Sequence, residues 1–285
     1  MDDMVLFGKI QERPREDLSN KNLMDDKLFA ICMQNEKFCK YVLEIILDIE
    51  IYSIEMSEIQ KTVQNLPGYK SIRLDVYAKT SEGIYNVEMQ TTNNDCMPKR
   101  ARYYQGILDT TSLYAGKKIK YNRLAKAVII FINDFDVYGL GYYKYSFHRW
   151  CDDNKGLVMG DETQHIFLNL NGYDRTDASD ELIQFLKYVK NSKSEIAAGS
   201  SRLEDLDNFF QILKGSKEVE DKYMNAKWYA EEVEEKAIAN GIKNVIKAFK
   251  ITNTDDSEII KQLMEMYDLD REDAEDYLKE YYEDR

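Results

Sequence analysis

The chain has 285 residues and a mass of 33.5 kDa, enough for one large domain with an appendage or two modest ones. Hydrophobic residues make up 44% and charged residues 32%, and only three prolines and thirteen glycines occur, a balance that suits a globular protein with a sizeable core and excludes long disordered tracts. No apolar run approaches the roughly 20 residues that span a bilayer, and the charged start MDDMVLFGKIQERPRED lacks the apolar stretch of a secretion signal, so a cytoplasmic location without a membrane partner is expected.

Four cysteines, Cys32, Cys39, Cys96 and Cys151, form no CxxC pair and are joined by only two histidines, His148 and His165. A structural zinc site and disulfides are therefore not expected. The formal charge of −13 argues against a nucleic-acid partner until its distribution is considered. Residues 251–285 hold thirteen acidic and four basic side chains, a net of −9. Residues 99–126 hold eight basic side chains (Lys99, Arg100, Arg102, Lys117, Lys118, Lys120, Arg123 and Lys126) against Asp109 alone, a net of +7.

In chain order, residues 25–48 carry apolar positions at helical spacing (Leu28, Phe29, Ile31, Cys32, Phe38, Tyr41, Val42, Ile45, Ile46), with Asn35-Glu36-Lys37 dividing two helices. Residues 51–63 have a partial strand pattern, and Pro67-Gly68 marks a turn. The clearest hairpin follows over residues 71–92. Ile72, Leu74, Val76 and Ala78 alternate with Arg73, Asp75, Tyr77 and Lys79, the period of a half-buried strand. Ser81-Glu82-Gly83 is a suitable short loop, with Gly83 able to take positive φ. On the return strand Tyr85, Val87 and Met89 share one face, and Ile84, Asn86, Glu88 and Gln90 share the other.

Pro98 is placed to open a helix that runs to about residue 114, with Ala101, Tyr104, Leu108 and Thr111 on one stripe and Gly116 as its stop. The run LAKAVIIFI at 124–132 predicts a central strand buried on both faces. Further strands are expected at 142–150 and 165–170, then an amphipathic helix over 177–190 with Leu182, Phe185, Leu186 and Val189 facing inward. From residue 194 the pattern is all helical. The last unit pairs helices at 257–267 and 272–282, with Asp270 capping the second. A domain boundary is expected near residue 195.

The hairpin brings Asp75, Glu88 and Gln90 into range of one another. Mg²⁺ takes oxygen ligands in octahedral geometry, with one or two carboxylates and the rest water or phosphate. Asp75, Glu88 and the Met89 carbonyl supply such a face, and Gln90 is placed to reach an attacking water or a phosphate. The basic helix that follows, through Lys99, Arg100 and Arg102, is suited to a phosphodiester backbone. Two plainer readings stand beside these: alternating polar residues on a strand form a solvated face, and a basic cluster a solvated helix side.

The order helix, strand, D-x₁₂-E-x-Q hairpin, basic helix and apolar strand resembles the PD-(D/E)XK nuclease superfamily. The segments SIRLDVYAKTSEGIYNVEMQ and PKRARYYQGILD more closely resemble the recombination-promoting nuclease family, also labelled as transposases. The likeness covers about residues 20–190. It implies an α/β fold with a restriction-endonuclease-like mixed β-sheet flanked by helices over residues 1–195, and a helical extension over 196–285. It also implies a metal-dependent DNA endonuclease using Mg²⁺ or Mn²⁺, with Asp75 and Glu88 as metal ligands and Gln90 in the place of the superfamily lysine. Gln90 carries no charge, so it orients water or phosphate and does not act as a cation. The resemblance adds Tyr103 to Lys99, Arg100 and Arg102 as DNA contacts, and Asp26 and Gln105 as auxiliary residues. Asp26 opens a D-x-x-F segment, Asp26-Lys27-Leu28-Phe29, whose usual continuation is replaced here by Ala30 and Met33-Gln34. The alternative is a nuclease fold that binds DNA or protein without cutting. A third reading gives the helical C-terminal part the main role, as a homo-oligomerisation or docking element.

Overall fold

The computed structural model describes residues 16–63, 72–93, 96–112 and 120–283. The predicted turn at Pro67-Gly68, the predicted stop at Gly116, and Lys117 and Lys118 lie outside the described residues.

Two helices open the described chain, α1 (Asp26–Cys32) and α2 (Glu36–Leu47). Each begins at a polar side chain that takes up N–H groups of the first turn. Asp25 accepts from Leu28 N, and Asn35 accepts from Lys37 N and Phe38 N, which is why the helical pattern divides at Asn35. Strand β1 (Ile54–Val63) then leads to the hairpin of β2 (Ile72–Thr80) and β3 (Ile84–Gln90). Helix α3 (Met97–Ser112) carries Pro98 in its first turn, where no intrahelical N–H bond is lost. Strands β4 (Ala127–Asn133), β5 (Lys144–Phe147) and β6 (Thr163–Asn169) complete a mixed six-stranded sheet in the order β1-β2-β3-β4-β6-β5. β1, β2 and β3 are antiparallel, β3, β4 and β6 run parallel, and β5 pairs antiparallel at the edge.

All seven residues of β4 are buried, as its unbroken apolar run requires of a strand with helices on both faces. On one face Tyr77, Ile84, Ile129, Phe131, Phe167 and Tyr145 pack against Met97, Ala101, Tyr104, Ile107 and Leu108 of α3. On the other, Val76, Ala78, Tyr85, Val87, Val128 and Ile130 are fully buried. Helix α1 packs on β1, β2 and β3, and α2 packs on β1. In the hairpin loop Gly83 is not among the residues at positive φ. Its glycine is required by close approach instead, since a Cβ there would lie 2.7 Å from the Lys126 carbonyl oxygen, which accepts from Ile84 N at 2.8 Å.

Helices α4 (Asp180–Asn191), α5 (Ser194–Ala197), α6 (Ser201–Lys214) and α7 (Lys217–Ile251) follow, then α8 (Asp256–Tyr267) and α9 (Arg271–Glu283). The chain forms two compact units, Met1–Tyr223 and Met224–Arg285. The boundary read from the sequence near residue 195 falls inside the first, because α6 packs on α1 and α2. The second unit has its own small core of Ile242, Ile246, Ile259, Leu263, Ala274 and Leu278. Asp270 accepts from Asp273 N at 2.8 Å, the cap expected for α9. No described helix is long and apolar enough to cross a membrane.

Candidate active site

The polar residues of β3 face the sheet side covered by α3. Register places Asn86 beside Ile129, Glu88 beside Phe131 and Gln90 beside Asn133. The solvated-face reading of Asn86 and Glu88 is therefore overturned: both are 0% exposed. A carboxylate in that position needs partners for its charge and lone pairs, and three groups supply them. Glu88 Oε1 accepts from the Asp75 backbone N–H at 3.0 Å and from Asn86 Nδ2 at 3.1 Å. Glu88 Oε2 accepts from Arg100 Nη2 at 3.1 Å.

Asp75 lies beside the end of the β2–β3 pairing, while the β1–β2 register runs on unchanged around it. The β1–β2 register passes from Ile59↔Val76 to Lys61↔Leu74, and the β2–β3 register begins at Val76↔Val87. Asp75 thus stands one residue before the β2–β3 ladder begins, and its N–H donates to the Glu88 side chain. Leu74 and Tyr77, on either side of Asp75, both join the core under α3.

Arg100 comes from the first turn of α3, where the helix dipole disfavours a cation, and the acidic site compensates. Its guanidinium donates from Nη1 to Gln90 Oε1 at 2.9 Å, from Nη2 to Glu88, and from Nε to the Tyr104 hydroxyl at 2.9 Å. The guanidinium carbon lies 5.6 Å from the centre of the Phe131 ring, a cation–π distance. The Arg100 side chain is 24% exposed, so the guanidinium lies between the buried acid and the surface.

These neighbours set the proton affinities. Burial, and next the nearby Asp75 charge, push the Glu88 carboxyl up to about 8, against the pull of the Asp75 N–H, Arg100 and Asn86. For Arg100, burial works against the charge, yet Tyr104, Glu88 and Asp75 hold its pKa above the ordinary value. Burial and then the Glu88 charge raise the Tyr104 hydroxyl to about 12, so it stays protonated. Partners on both sides of the ion pair thus favour a positive Arg100 beside an acid that binds protons more tightly than usual.

Of the residues singled out from sequence, the structure brings Asp75, Glu88, Gln90 and Arg100 together. Lys99 and Arg102 are exposed on α3, and Tyr103 is 36% exposed. Asp26 is exposed at the start of α1, where it accepts from Lys27 N. Gln105 is buried further along α3 and donates to Asp109 at 2.8 Å, while its Oε1 has no hydrogen-bond partner among the described residues. Sequence reasoning missed Asn86 as a Glu88 partner and took Arg100 only as a backbone contact. The signal for Arg100 was its spacing: it lies four residues before Tyr104 and beside Ala101, on the stripe that packs against the sheet.

A hard divalent cation fits this donor set. Asp75 and Glu88 are carboxylates on adjacent strands joined through the Asp75 backbone N–H, near enough for the Asp75 charge to act on Glu88. Among the described residues no group of three or more His, Cys, Asp or Glu side chains converges, so such a site would have two carboxylates completed by other oxygens, as suits Mg²⁺.

A family model described as PD-(D/E)XK nuclease family transposase matches residues 26–278. Comparison with curated proteins and with solved structures gives no match.

Proposed function

The chain belongs to the PD-(D/E)XK nuclease family transposases, and from that premise we propose that it is a metal-dependent endonuclease hydrolysing DNA phosphodiester bonds. The observation that carries the reading is Glu88, a fully buried carboxylate bound by the Asp75 N–H on one oxygen and Arg100 on the other. A buried ion pair is a poor route to stability, since apolar side chains in its place are often neutral or better. Its presence on a central strand fits a chemical role.

In the proposed reaction a water oxygen bonds to phosphorus as one ester P–O bond breaks. One proton of the water ends on the departing alcohol and the other is released from the new phosphate monoester. Asp75 and Glu88 would hold Mg²⁺ or Mn²⁺, which when bound lowers the water pKa and offsets charge on the phosphate. Gln90, fixed by Arg100, is placed to orient water or a phosphate oxygen through its amide. Exposed Lys99 and Arg102 on α3 would hold the strand, with Tyr103 beside them. Asp26 and Gln105 would act from outside this group. The α3 surface next to the acid pair suits DNA as the partner despite the net charge of −13.

The test is cleavage of plasmid DNA with Mg²⁺. Asp75→Ala and Glu88→Ala are expected to lose cleavage while circular dichroism stays unchanged. Equal cleavage by the parent chain and both variants would overturn the reading. Salt-sensitive DNA binding without cleavage, unaffected by Asp75→Ala, would identify a binding module on a nuclease fold.

A further inference from the structure

We propose that Arg100 is a catalytic residue whose guanidinium provides, at the position of Gln90, the positive charge that meets the phosphate during cleavage. The inference rests on the nuclease reading above and adds a group to it.

Hydrolysis of a phosphodiester concentrates negative charge on the phosphate oxygens, and a fixed cation at that point lowers the barrier. The hairpin offers two carboxylates and a neutral amide there: Asp75, Glu88 and Gln90. The cation that reaches them is Arg100, and it touches two of the three through separate nitrogens, Glu88 through Nη2 and Gln90 through Nη1. A guanidinium has five N–H donors. Among the described residues Glu88, Gln90 and Tyr104 engage three of them, which leaves two to donate to a phosphate oxygen. Planar, forked donation of this kind matches phosphate geometry, which a single ammonium does not.

The surroundings hold Arg100 in place. The Tyr104 hydroxyl, one helical turn away, accepts the Nε–H hydrogen bond and fixes the plane of the fork, so Tyr104 is a positioning residue. Phe131 and Tyr104 lie against the guanidinium, at 5.6 and 5.1 Å from their ring centres. Glu88 anchors it from below on a central strand. The arrangement places a preorganised cation beside the acid pair before any substrate arrives.

The experiment uses the full chain, DNA and Mg²⁺, with Asp75→Ala as the control for the nuclease reading. Arg100→Gln is expected to lower kcat by about 10²–10³-fold and to change the KM for DNA only a few-fold, because Lys99 and Arg102 remain. Gln90→Lys placed in the Arg100→Gln background is expected to recover part of the lost kcat by returning a cation to the same point. A purely structural Arg100 would give no such recovery. Since Arg100→Gln leaves a buried acid unpaired and could fail to fold, a second measurement uses the unmodified chain: the Arg100 guanidinium ¹⁵N resonances, followed as a duplex is added with Ca²⁺ in place of Mg²⁺. A shift on duplex binding supports the proposal. Bound duplex with no shift overturns it, as does Arg100→Gln cleaving at the parental rate while Asp75→Ala does not cleave. If the parent chain itself does not cleave, the nuclease reading and this inference fall together.

Discussion

Asp75 and Glu88 meet through the main chain: the Asp75 N–H donates to Glu88 Oε1 at 3.0 Å. The donor belongs to the backbone, so substitution of the Asp75 side chain leaves it in place. Charge and geometry at this pair can therefore be varied separately, which few acid pairs permit.

Asp75→Asn keeps the N–H bond and removes the charge that, after burial, most raises the Glu88 pKa. The Glu88 midpoint is expected to fall from about 8 toward the ordinary carboxylate range. Side-chain carboxyl ¹³C shifts followed against pH in metal-free protein would show it, and an unmoved midpoint would contradict the account.

Glu88→Gln should change the pH dependence of stability. In the folded chain burial raises the Glu88 midpoint to about 8, above the 4.5 of an unfolded glutamate. The folded state holds more protons across that window, so this group's contribution to stability falls as pH rises from about 4.5 to about 8. Glutamine removes the dependence. Urea denaturation without metal should show Glu88→Gln gaining on the parent chain between pH 5 and pH 8, and a constant difference would count against it.

Gly83→Ala puts a methyl 2.7 Å from the Lys126 carbonyl oxygen. Backbone must shift at the point where β3 joins β4, at a cost of about 1–3 kcal/mol. Chemical denaturation would measure it, and a variant as stable as the parent would show that the loop yields freely.

Leu263→Ala cuts into the second unit's core, where Leu263 is fully buried with Ile242, Ile246 and Ile259. A loss of about 2–5 kcal/mol is expected in that unit. Hydrogen exchange should show α8 and α9 amides losing protection while β3 and β4 amides keep theirs. Loss of protection in the sheet as well would mean the two units unfold together.

Much of this architecture is legible in the residues. The run at 124–132 gave away the central strand because a strand covered on both faces has no polar positions to spare. Asn35-Glu36-Lys37 marked the break between the first two helices, and Asp270 marked a helix start through capping chemistry. The hairpin was visible in its alternation, but its burial was not: Asn86 and Glu88 look like a wet face until α3 is laid over them, and nothing local predicts that contact. Arg100 shows the same gap. Its charge suggested solvent and phosphate, whereas its direction depends on which helix face meets the sheet, a tertiary outcome. Gly83 was legible as a loop residue, but the carbonyl that requires a glycine there lies 43 residues further along the chain, at Lys126.

The groups that bond to Glu88, and the Tyr104 that holds its arginine, all lie between residues 75 and 104. Short loops close at small entropic cost, so these contacts can form early, ahead of the distant pairings that seat β4 and β6. The same compactness makes the site a cassette in evolutionary terms. A change in the long connections after β4 alters what surrounds the centre, while the hydrogen bonds to Glu88 described above are all encoded within one stretch of about thirty codons.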